Sequence, residues 1–218
     1  MSEPRETAAE VEEVVEGLYH WRIHNSGIGG NVSSSHALAT GDGCVLIDPV
    51  RLAEDAMASL PRPTAIVLTA RCHQRAAWRY RRELGVDVWL PEDASAAAEE
   101  PDCRYADGDV LPGSLVAVRT PGPEWPHYSL LLEGDPGVVF CSDLVMHAGD
   151  GALRFVPPEF HEDPAETRRS VDKLLGLPFA GWLVVRRQFE QREAIRGLEM
   201  VYEPKDLSFF QARFQPLA

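Results

Sequence analysis

The chain has 218 residues, 44% apolar and 25% charged, with 34 acidic against 21 basic side chains for a formal net charge of −13. That length supports a sizeable core without disulfide help, and a field of this sign repels phosphate backbones, which argues against a nucleic-acid partner. It gives no attraction to anionic lipid either, and no apolar run approaches the roughly 20 residues that a membrane-spanning helix needs.

In chain order, residues 1–14 are rich in Glu and Ala and read as an acidic arm, frayed or forming a short helix. A single domain is expected over 15–218. Leu18 to Ile23 has strand character from its aromatic and β-branched residues. Asn25 to Gly41, rich in Gly and Ser, reads as a long turn followed by a strand. Cys44 to Ile47 is an apolar run ending in Asp48-Pro49, suited to a strand covered on both faces. Leu52 to Leu60 is a helix stopped by Pro61 and Pro63. Thr64 to Thr69 is the next buried strand, and the spacing of Ala76, Ala77, Tyr80 and Leu84 predicts a helix from about His73 to Leu84. Val86 to Leu90 is a strand, and Pro91-Glu92-Asp93 opens a short Ala-rich helix. This half alternates strand and helix, as βαβ units do.

The second half reads differently. Leu115–Val118, Tyr128–Leu132 and Val138–Cys141 are short strands divided by Gly, Asp and Pro, as in antiparallel hairpins. A helix opens at Asp163, a capping residue followed by Pro164, with Glu166 placed for a capping box, and runs to about Leu175. Trp182 to Val185 is a last strand and Gln191 to Gly197 a last helix. The N-terminal residues lack the basic start and apolar stretch of a signal peptide, so the expected address is the cytoplasm. Cys44, Cys72, Cys103 and Cys141 form no Cys-x-x-Cys pair, which gives no reason to expect a zinc knuckle.

Five stretches carry a resemblance: Leu46-Ile47-Asp48-Pro49, Val67-Leu68-Thr69, Thr120-Pro121-Gly122, Phe140-Cys141-Ser142-Asp143 and Leu183-Val184-Val185. In type and order they resemble the metallo-β-lactamase superfamily from about Gly17 to Gly197. The resemblance implies an α/β fold, a four-layer αββα sandwich. It also implies a metal loop of the pattern His-x-His-x-Asp-His after the second of these strands. Imidazole and carboxylate there hold zinc, which lowers the pKa of a bound water and makes hydroxide at neutral pH.

The corresponding loop here reads Ala70-Arg71-Cys72-His73-Gln74-Arg75, so the four ligand positions hold Ala70, Cys72, Gln74 and Arg75. The position after Thr-Pro-Gly holds Pro123, the bridging position keeps Asp143, and the last falls at Arg187 or its neighbour Arg186. A guanidinium stays protonated and only donates, so it is no ligand. By position only Cys72 and Asp143 remain, against the three protein ligands of a catalytic zinc. The expectation is a protein of this fold with most of the dinuclear ligands lost, non-hydrolytic or of altered chemistry, with no cofactor. The alternative is a hydrolase of a small ester, lactone, amide or thioester whose zinc or iron is held by Cys72, His73, His127 and Asp143. His147 and His161 are further histidines in loops or at element ends.

Other motifs carry less. No Gly-x-Ser-x-Gly surrounds Ser33–Ser35 or Ser142, which disfavours a serine hydrolase. Cys72-His73 as nucleophile and base is disfavoured because adjacent side chains rarely face each other. Gly27-Ile28-Gly29-Gly30 lacks the following Lys of a phosphate loop. Arg75 is expected to pair with Asp143, with Arg71 or Arg187 as second partners. Arg71, Arg75 and Arg187, with Arg119 and Arg186 nearby, are also candidates to hold a small anionic molecule, because guanidinium recognises carboxylate and phosphate. The sequence sets no oligomeric state.

Overall fold

A computed structural model of the chain describes residues 3–95, 99–134, 137–147, 153–177 and 181–183. Fourteen strands and three helices are described. β1 (Glu12–Val15), β2 (Leu18–Asn25), β3 (Asn31–Thr40), β4 (Gly43–Ile47), β5 (Pro63–Val67), β6 (Asp87–Pro91) and β7 (Cys103–Tyr105) form a seven-stranded sheet in that order. Its first four strands are antiparallel neighbours and its last four are parallel. β8 (Val110–Leu111), β9 (Leu115–Arg119), β10 (Tyr128–Leu132), β11 (Val138–Phe140) and β14 (Gly181–Leu183) form a five-stranded sheet in the order β14-β11-β10-β9-β8. β12 (Val145–His147) and β13 (Leu153–Phe155) make a separate hairpin. α1 (Glu54–Ala58) and α2 (Ala77–Leu84) follow β4 and β5, and α3 (Pro164–Leu175) follows the hairpin.

The strand period of two sorts these residues into layers. Along β4, Cys44 and Leu46 point to a cluster that includes Ala77, Trp78 and Tyr80 of α2, while Val45 and Ile47 point to a second cluster. That second cluster also takes Leu115 and Ala117 of β9, Tyr128 and Leu130 of β10, and Phe140 of β11, so it is the seam between the sheets. The opposite faces of β9, β10 and β11 present Val118, Leu131 and Val139 to Val171 and Leu174 of α3. Three buried interfaces between four layers give the αββα order expected from the sequence.

Several elements differ from expectation. The acidic start is not a helix: Ala8 is bonded between Arg51 and Ala53, and Glu12–Val15 pairs with β2 as an edge strand. The Ser-rich stretch expected as a long turn followed by a strand has only a short 3₁₀ turn, Ser26–Ile28, before the ten-residue strand β3. Two of its buried hydroxyls are used in bonds to other segments: Ser35 Oγ donates to Asp48 O at 2.6 Å and accepts from Val50 N at 2.7 Å, and Ser33 Oγ accepts from Asn25 at 3.1 Å. Hydroxyls satisfied in this way make serine tolerable in a core strand. The predicted helix from His73 begins only at Ala77, after a single 3₁₀ turn over Arg71–His73. The Ala-rich helix after Pro91 is absent from the described residues, which show a turn there, and residues 96–98 lie outside them. The final helix over 191–197 and the end of the last strand also lie outside. The two-residue β8, the edge strand β7 and the β12–β13 hairpin carry too few residues for a readable period. No helix among the described residues is long and apolar enough to cross a membrane.

A candidate centre around His73

β4 and β5 are parallel and adjacent, so their C-terminal ends deliver the following loops to the same edge of the sheet. Asp48 comes first, with a left-handed φ of 48°. Its carboxylate accepts from Thr69 N at 2.8 Å, Thr69 Oγ1 at 2.6 Å and His73 Nδ1 at 2.9 Å. The 3₁₀ turn after Ala70 places Cys72 and His73 beside it. From the second sheet, the turn after β11 brings Asp143, whose Oδ2 lies 3.1 Å from His73 Nε2. Ser142 in that turn has φ 50°, and its hydroxyl sits 2.9 Å from Thr69 Oγ1. The imidazole of His73 is thus buried between carboxylates on both of its nitrogens.

Two acceptors on two ring nitrogens call for two donors, which is the imidazolium. Burial and the Arg75 charge oppose that state, but Cys72, Asp48 and Asp143 outweigh them and hold the His73 pKa well above its usual value. Burial would raise Asp48, yet His73, Arg75 and Thr69 draw it below the normal range. Burial raises the Cys72 thiol. His127 is the opposite case. Burial pushes it down to about 4; its Nδ1 donates to Thr120 O at 2.7 Å and its Nε2 accepts from Asp143 N at 3.3 Å.

The structure therefore unites Cys72, His73 and Asp143, whose ligand atoms lie within 4.8 Å of one another. His127 touches the group through the Asp143 backbone, with its ring nitrogens already committed to backbone groups. The other positions that the resemblance matches to metal ligands do other work. Ala70 is fully buried and bridges to His127 through its backbone. Gln74 donates to Arg71 O at 2.9 Å and Ser95 O at 3.0 Å and accepts from Trp78 Nε1 at 3.2 Å. Pro123 O accepts from Glu162 N at 3.2 Å, and Gly122 O from Asp163 N at 2.9 Å, so this turn seats the start of α3. A Cβ on Gly122 would lie 2.3–2.6 Å from Thr167 atoms, which is why glycine stands there.

The expected Arg75–Asp143 pair is corrected. Arg75 has φ 34°, and its guanidinium donates to the carbonyls of Ser34 at 2.6 Å and Asp48 at 3.0 Å. His73 supplies the cation at Asp143 instead. Arg71 faces Glu124 at 3.5 Å and Glu162 at 3.8 Å, while Glu124 also accepts from Cys72 N at 2.8 Å. Arg119 pairs with Asp93 and lies 4.0 Å over the Trp125 ring. His161 bonds Thr167 Oγ1 at 3.0 Å. Arg186 and Arg187 lie outside the described residues, as does the side chain of His147. Thr69, Ser142 and Glu124 join the site without having been expected there from the sequence. Thr69 at the end of a strand parallel to the one ending in Asp48 was the available signal.

No family model matches the chain. Solved structures do. A subclass B3 metallo-beta-lactamase of Bradyrhizobium japonicum is 15% identical, covers 82% of this chain and 78% of its own, and has a TM-score of 0.55. One from Elizabethkingia meningoseptica is 12% identical over 84% and 81%, with a TM-score of 0.56. This chain has the metallo-β-lactamase fold. A class B3 di-zinc metallo-beta-lactamase from an Alaskan soil metagenome shares that fold with it at 12% identity, over 85% and 83%, with a TM-score of 0.56. Tyrosine phenol-lyase of Symbiobacterium thermophilum is 53% identical over 34 residues only, which is 16% of this metallo-β-lactamase-fold chain and 7% of that enzyme's length. So short a stretch defines no shared domain.

Proposed function

We propose that this chain is a metallo-β-lactamase-fold protein that has lost the two-metal centre and does not carry out two-metal hydrolysis. The observation that supports this reading is the commitment of the ligand positions. Gln74 and Arg75 are anchored to backbone carbonyls, Ala70 and Pro123 offer no donor, and the His73 imidazole lies between Asp48 and Asp143. A two-metal site needs ligands on both sides of a pair of ions about 3.5–4 Å apart. Here the His73 ring is instead bonded on both nitrogens, to Asp48 and to Asp143.

The second reading is a metal-dependent hydrolase of a small ester, lactone, amide or thioester with a rearranged site. It is favoured by the convergence of Cys72, His73 and Asp143. A substrate panel of β-lactams, lactones and thioesters, run with added zinc and again with chelator, separates the two. Our reading expects turnover no faster than the buffer control in either condition. Chelator-sensitive turnover lost in Cys72→Ala would replace it with the second reading.

A further inference from the structure

We propose that Cys72, His73 and Asp143 form a site for one borderline-soft divalent cation of the zinc class, with Asp48 fixing the histidine ring as a ligand. The inference rests on the reading that the two-metal ligand set is lost, and adds what the remaining groups can still bind. The donors are a sulfur, an imidazole nitrogen and a carboxylate oxygen, each from a buried or half-buried residue. Three such ligands with a fourth position left over are the usual complement of a mononuclear zinc site.

Distances agree with this. Ligands at ~2.0–2.3 Å around a tetrahedral ion stand roughly 3.3–3.6 Å apart. His73 Nε2 and Asp143 Oδ2 are 3.1 Å apart, so they need open by only a few tenths of an ångström. The Cys72 sulfur lies within 4.8 Å of both.

Orientation agrees as well. A metal-binding histidine characteristically donates its other ring N–H to a carboxylate, which fixes the ring and raises its basicity. Asp48 occupies that role at Nδ1, 2.9 Å away, and is itself fixed by the N–H and hydroxyl of Thr69. Nε2 is thereby aimed at Asp143. Thiolate, carboxylate and dication sum to zero, and the remaining Asp48 charge is matched by Arg75 beside it. The site can be filled without burying net charge. Sulfur and imidazole donors select zinc, cobalt(II) or iron(II) over magnesium and calcium, which prefer all-oxygen sites. His127 is left out because both of its nitrogens already serve backbone groups.

The test is a cobalt(II) titration of the full chain after chelator treatment, followed by absorption. Expected are one equivalent, a thiolate-to-cobalt charge-transfer band in the near-ultraviolet, and its displacement by zinc but not by magnesium. Cys72→Ser should abolish the band and weaken zinc binding by roughly 100-fold or more, whereas Cys103→Ser leaves both unchanged. The band is read on the unmodified protein, so the result stands even if a variant fails to fold. No thiolate band, a band that survives Cys72→Ser, or equal competition by magnesium overturns the site while leaving the loss of the two-metal centre intact. Two tightly held equivalents overturn that loss instead.

Discussion

His73 is bonded to a carboxylate on each ring nitrogen, and removing either acid leaves a half-paired charge in the interior. Breaking a buried pair from one side costs about 3–5 kcal/mol. Asp143→Ala is therefore expected to lower the unfolding free energy by that order, read from urea midpoints. Arg71→Ala, which removes a half-exposed pair with Glu124 and Glu162, should cost under about 1 kcal/mol. Equal losses in the two variants would contradict the charge network. Cys72 and Asp143 could be singled out in the sequence because the family resemblance places them at ligand positions. The role of His73 was not. Its position next to a ligand site gives no ring direction, and that direction depends on Asp48, 25 residues away in the chain. Arg75 misled for a related reason. Its charge suggested a partner for Asp143, but its left-handed backbone turns the side chain toward the carbonyls of Ser34 and Asp48.

At the scale of elements, α3 shows where local chemistry suffices and where it does not. Asp163 accepts from Ala165 N at 2.9 Å and Glu166 N at 3.0 Å, and Pro164 fills the first helical position, as the sequence indicated. The expected capping box does not form. The Asp163 N–H is taken by Gly122 O, and Glu166 pairs with Arg169. Asp163→Ala should thus cost about 1 kcal/mol, while Glu166→Ala should stay within about 0.5 kcal/mol, both as midpoint shifts at constant denaturant slope. A larger loss in Glu166→Ala would restore the box. β4 and β5 were readable because covered strands are continuously apolar. The start of β3 was not, because Ser33, Ser34 and Ser35 look like turn residues until the backbone of Asp48, Val50 and Arg75's guanidinium are brought against them.

Across the whole molecule, buried neutral histidines set the acid side of stability. Burial holds His127 at about 4 and, with the neighbouring His20, holds His36 well below its usual value. In the unfolded chain both protonate near 6.5. The folded state then binds fewer protons, so stability falls as pH drops from about 6.5 toward 4, by roughly 3 kcal/mol for His127. His73 acts in the opposite sense. Its raised pKa gives stability that is complete below about 6.5 and is lost as pH rises through the folded value. A maximum near pH 6.5 is expected in urea midpoints, with a shallower acid limb in His127→Gln. An unchanged acid limb in that variant would contradict the assignment.

The layers rest on the three apolar interfaces. Leu130→Ala in the seam between the sheets should cost about 2–5 kcal/mol, against under about 0.5 kcal/mol for the exposed Val110→Ala. The four-layer order was legible through the resemblance to the metallo-β-lactamase superfamily, with which the alternating strands and helices and the later hairpins agree. What occupies the centre was not, since it depends on side chains from two sheets meeting across the fold. The most direct measurement is native mass spectrometry of the full chain after equilibration with excess zinc. The loss of the two-metal ligand set predicts at most one zinc ion per chain, and two bound ions would contradict it.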